Sequence, residues 1–241
     1  MSEQYDGFDE LARVTKCPFA KKARVVYGPD WCADLALEQN ALRCANALEK
    51  FGARIEDERL HGLVVKVGTA SVNPSFEEVR SAFGEFLFAL GATEVSCGKC
   101  MTSDFLDLDW QFSHSGTRYF LNVFASCYTP PHSKHAYVQR GFYVFFQPER
   151  SFDFCAGSSR KDVKLKIREQ FARSGMPYDG TQIDRRIEAL LYMFPLEPFG
   201  DPVVWWCGTD GDRFTIPPLK AELLEDNDTD ASSFGLGPPI D

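Results

Sequence analysis

The 241-residue chain has no run of about 18 apolar residues, so no membrane-spanning helix is expected. Basic residues are scarce. Lys and Arg number 26 against 35 Asp and Glu, a net charge of −9. Nucleic-acid binding as a main role is not expected, because phosphate contacts need a basic face. The opening MSEQYDGFDELARV is acidic and has no apolar h-region, so a signal peptide is not expected and a cytoplasmic location is. There is no G-x-G-x-x-G, no P-loop and no G-x-S-x-G, which leaves dinucleotide, nucleotide and serine-hydrolase chemistry without a motif. No Gly/Ser-rich or Pro-rich linker divides the first 220 residues. One domain over 1–220 is expected, followed by an acidic, turn-rich and mobile tail over 221–241.

Phenylalanine, by contrast, is abundant: 21 Phe against 4 Met and 4 Trp. Such a core has many flat walls, which can enclose an aromatic ligand or fill themselves. The periodicity predicts a helical turn near 8–14, a helix over 31–51 with Asp30 as its N-cap, and a strand over 61–68. A second helix starts at Asn73-Pro74-Ser75 and closes at Gly91, and a polar loop spans 92–108. Three strands over 109–114, 117–126 and 141–148 follow, the middle one apolar enough for burial on both faces. A basic helix over 159–173 and another over 181–193 come next, then an irregular cover over 195–206. The order predicts an α+β fold, a mainly antiparallel sheet with helices packed around it.

Eight cysteines in a cytoplasmic chain should be mostly reduced and buried. Cys97-x-x-Cys100 has the spacing of half a zinc site, and no recognised second half accompanies it. Three of the four histidines, His114, His132 and His135, lie in or beside the strand segment. Pro130-Pro131 puts His132 and His135 in a loop, where they are either solvated or ligands to a metal or haem. Cys17, before Pro18 and near Lys21 and Lys22, is either a small buried hydrophobe or a thiolate-type ligand.

Several of these pieces together resemble the YqcI/YcgG family. They are Cys17-Pro18-Phe19, Trp110-x-Phe112, Gly116 with an apolar strand through Phe120, and Phe146-Gln147-Pro148 with Phe152. Ser126-Cys127-Tyr128 and Ser133-Lys134 stand where that family has Pro-Ala-Tyr and Ser-Arg. The likeness covers roughly 17–23 and 110–152. Some members of that family are haem-dependent oxygenases that N-hydroxylate guanidine groups. The resemblance implies haem b, since no C-x-x-C-H is present for covalent attachment, with O₂ as co-substrate and an external electron donor. It implies cofactor contacts among Cys17, His114, His132, His135, Lys134, Trp110 and Phe112, with the axial ligand among Cys17 and the three histidines. A small cationic substrate would need fixed carboxylates, for which Asp107, Asp109 and Glu149 are the candidates. The departure from Ser-Arg to Ser133-Lys134 matters, because lysine lacks the bidentate fork of arginine. A non-catalytic interaction module with zinc at Cys97 and Cys100 is the other expectation.

Overall fold

A computed structural model describes residues 5–154, 160–173, 187–197, 200–208 and 211–214. Its centre is a five-stranded sheet in the order β1-β2-β5-β4-β3. The strands are β1 (Val25–Tyr27), β2 (Gly62–Gly68), β3 (Ser113–His114), β4 (Thr117–Phe124) and β5 (Gly141–Pro148). β1 runs parallel to β2, and the other pairs are antiparallel. The parallel pair is joined through the helices α2 (Leu37–Gly52) and α3 (Ile55–Glu58), as a parallel connection requires. The remaining helices are α1 (Asp6–Val14), α4 (Phe76–Gly91), α5 (Val95–Thr102) and α6 (Arg160–Arg173). The expected α+β class with a mainly antiparallel sheet is the class observed.

Alternation along the strands divides the side chains between two cores. Leu63, Val65 and Val67, Tyr119, Leu121 and Val123, and Phe142, Val144 and Phe146 face the larger one. α2 adds Ala41, Cys44, Ala45 and Leu48 there, and α4 adds Val79, Phe83, Phe86, Leu87 and Leu90. On the opposite face α1 lays Phe8 against the rings of Phe124, Tyr143 and Phe145. The strand β4 is therefore covered on both sides, as its near-continuous apolar run implies.

Four local expectations are corrected. Asp30 does not cap the first long helix, which starts at Leu37. Asn40 is the cause: its amide oxygen accepts from the Cys32 N–H and its amide nitrogen donates to the carbonyls of Cys32, Leu35 and Ala36. Residues 32–36 are thereby folded into a turn before the helix. The polar loop over 92–108 contains α5, whose N-terminus is capped by the Glu94 carboxylate on the Ser96 and Cys97 N–H groups. The strand expected over 109–114 enters the ladder only at Ser113. β1 was not foreseen, its three residues being too short for a periodic signal. The helix expected over 181–193 is, where described, a 3₁₀ turn at Glu188–Leu191. The tail over 221–241 lies outside the described residues.

Candidate functional site

Trp110 and Phe112 belong to the large core. The Trp110 indole donates to the Cys100 carbonyl at 2.9 Å, and Phe112 packs on Tyr119 and Phe146. His114 is 3% exposed and spends both ring nitrogens on hydroxyls, Ser115 at 3.1 Å and Thr93 at 3.4 Å. Burial lowers its pKa, with partial compensation from Glu94 and Glu49. These residues tie the β3–β4 hairpin to α4 and α5. Cys17 lies in the turn after α1, its N–H on the Thr15 hydroxyl at 3.3 Å.

Cys97 and Cys100 lie on one side of α5. Cys97 is fully buried and burial pushes its thiol well above the ordinary range. The Cys100 thiol donates to the Gln111 carbonyl at 3.2 Å. Among the described residues no group of three or more His, Cys, Asp or Glu is placed to hold a metal ion. The two thiols serve packing and a backbone tie, and the zinc reading gains nothing from them.

The loop between β4 and β5 is built around Tyr128, which is 1% exposed. Its hydroxyl donates to the Phe194 carbonyl at 2.8 Å, which pins the loop to the segment beside β4. Its ring stacks on His132 at 4.4 Å and 9°. The His132 Nδ1 accepts from the Lys134 N–H at 3.1 Å. Burial first, and then the Lys134 charge, push the His132 pKa down to about 4. Lys134 is itself 2% exposed, donates to the Asn122 amide oxygen, and lies over the rings of Phe194 and Phe124 at 4.5 and 5.2 Å.

His135 differs from its neighbours. Its Nδ1 lies 2.7 Å from the Tyr128 carbonyl oxygen. A carbonyl only accepts, so Nδ1 carries a proton, and in the neutral ring Nε2 presents the lone pair. That Nε2 is buried and has no hydrogen-bond partner among the described residues. The backbone around it is fixed, because Ala125 N–H donates to the Lys134 carbonyl and Ala136 N–H donates to the Ala125 carbonyl. Of the four histidines, the orphaned nitrogen is on this one. The sequence marked His135 as a candidate alongside His132 but carried no signal separating the two. The separation comes from Tyr128, whose carbonyl takes the His135 Nδ1 while its ring stacks on His132.

The candidate carboxylates are elsewhere. Asp107 and Asp109 sit in the turns before β3, where Asp107 accepts from the Asp109 N–H at 3.0 Å. Glu149 follows β5 and faces Arg118 at 4.0 Å, while Arg118 also donates to the Asp109 carbonyl. The structure thus gathers Asp109 and Glu149 around Arg118. They stand at the opening of β4 and the close of β5, whereas the His135 loop leaves from the other ends of both strands. Eight residues of strand separate the two ends by roughly 23 Å. The structure does not bring the three carboxylates to His132 and His135. No protein-family model, curated protein or solved structure matches this chain.

Proposed function

We propose that the chain is a haem-dependent oxygenase in which His135 Nε2 would hold the haem iron, acting on a nitrogen of a small guanidine or amine. The observation that carries the haem assignment is the buried Nε2 lone pair without a partner. A buried acceptor left unmade is costly, by about 1–3 kcal/mol, and such a group asks for an explanation. The Nδ1–H held by a backbone carbonyl is the outer arrangement that metal-ligating histidines use to fix the ring and raise the basicity of the free nitrogen.

A single donor cannot hold a bare transition ion against water. The described residues supply no second and third ligand at this place. A macrocycle brings its own four nitrogens, so one imidazole is sufficient. Bound haem would supply O₂ binding and activation, with electrons from an external donor.

The chain's own residues do the rest. Tyr128 orients His135 through its carbonyl and anchors the loop through its hydroxyl. His132, held neutral at pH 7, braces the Tyr128 ring without competing as a ligand. Its Nδ1 is already engaged by the Lys134 N–H. The substrate class rests on the YqcI/YcgG-like motifs. Asp107, Asp109 and Glu149 are not assigned to it in this reading, given their distance from His135.

Titration of the purified protein with hemin tests the proposal. The expected result is a saturable one-to-one Soret band whose ferric spectrum shifts on adding a guanidine or amine. A linear, unsaturable rise in absorbance would remove the haem assignment. Saturable binding that only anions perturb would remove the substrate class.

A further inference from the structure

We propose that Tyr137 is a swinging cover over the His135 imidazole, controlling access to its Nε2. The proposal rests on the reading of His135 as a ligand-donating residue. Three observations support it. First, Nε2 has no solvent exposure although the residue as a whole is only half-buried. Something must therefore lie against the ring. Second, the Tyr137 ring stands edge-on to the His135 ring, with centroids 4.6 Å apart at 86°. Residues two apart on an extended segment share a side, and His135 is bridged to Ala125 as such a segment. Third, Tyr137 is 63% exposed, so its outer side carries no packing that would hold it in place.

The backbone below is fixed by contrast. Ala136 is bonded to Ala125, and a side chain at Gly7 would collide with the Tyr137 carbonyl oxygen, so the first turn of α1 presses on this peptide group. The mobile element is thus the side chain alone. A large aromatic ring left in water is ordinarily unfavourable, and its place against an unpartnered imidazole gives it a use. With the ring in, the nitrogen is shielded. With the ring out, the lone pair meets whatever binds there. Exposed side chains rotate in picoseconds to nanoseconds, so the cover acts as a fast pre-equilibrium that lowers every rate at Nε2 by the fraction of time the ring is out.

Diethyl pyrocarbonate tests this without any cofactor. An unprotonated imidazole nitrogen attacks one carbonyl, the carbethoxy group is transferred to it, and ethyl carbonate leaves as CO₂ and ethanol. Peptide mapping by mass spectrometry reads the rate at each histidine. Loss of one aromatic contact should raise the His135 rate in Tyr137→Ala by about tenfold over wild type, with Tyr137→Phe unchanged. His114, buried and bonded at both ring nitrogens, should stay slow in every variant, which separates uncovering from unfolding. Hemin should also associate faster with Tyr137→Ala than with wild type. Equal His135 labelling in wild type and Tyr137→Ala would overturn the cover. If hemin binds none of the variants, the haem reading falls while the labelling rates still decide the role of Tyr137.

Discussion

His132 pays for its buried place in proton affinity. Its pKa is pushed down from an ordinary 6.5 to about 4 by burial and by the charge of Lys134, with the Pro195 carbonyl offsetting part of this. The unfolded chain therefore binds the proton more readily than the folded one between those values. Stability from this group is present above the unfolded pKa and is lost as pH falls from about 6.5 toward 4. Urea midpoints measured across that window should decline for wild type, and the decline should be shallower in His132→Asn. Parallel curves would show that other groups dominate. At this scale the sequence was partly legible. His132, His135 and Lys134 stood out as unusual residues in an aromatic segment. Their separate roles were not readable, because Tyr128, Asn122 and Pro195 decide them, and Asn122 and Pro195 lie 10 or more residues away along the chain.

Helix α5 depends on one side chain. Glu94 accepts from the Ser96 and Cys97 N–H groups and also from the Ser115 N–H at 3.2 Å. It caps the helix and grips the hairpin turn, where Ser115 holds a left-handed φ of 47°. Replacing an N-cap by alanine costs about 0.5–2 kcal/mol, and the added hairpin tie puts Glu94→Ala toward the upper end. Chemical denaturation should show that loss, while Glu94→Asp should recover part of it. No change in midpoint would mean that water replaces the carboxylate at both ends. The helix was hidden in the sequence because Gly98 and a polar composition read as a loop; only Cys97 and Met101, four apart and both buried, hint at a face. Helix α4 was legible for the opposite reason. Its Ser75 cap accepts from the Glu78 N–H at 3.2 Å and its apolar stripe is long. The late start of α2 could not be read, because the Asn40 turn competes with helix through side-chain bonds that propensity does not register.

Across the whole molecule the two faces of the sheet do different jobs. The larger core joins α2 and α4 to the sheet and then to the covering segment through Trp205, which touches Phe83 at 5.1 Å. Arg80 clamps that segment from α4 by donating to the Val204 and Cys207 carbonyls. Phe83→Ala should therefore cost about 3–5 kcal/mol and lower the melting temperature markedly. A loss below about 1 kcal/mol would show that the site collapses around the smaller side chain. The fold class followed from the order of periodic segments, and the placement of the candidate residues did not. Alternation tells which residues share a face, but not which loop meets which end of a strand. Asp109 and Glu149 look like neighbours of His132 and His135 along the chain and stand at the opposite end of β4 and β5. The central claim is that His135 Nε2 is the donor to haem iron. Its most direct test is the ferric spectrum of hemin-loaded His135→Gly, with and without added imidazole. The account predicts that the wild-type spectrum is lost in that variant and restored by imidazole, while Cys17→Ala and His114→Ala keep it throughout. A His135→Gly spectrum identical to wild type before imidazole is added would contradict it.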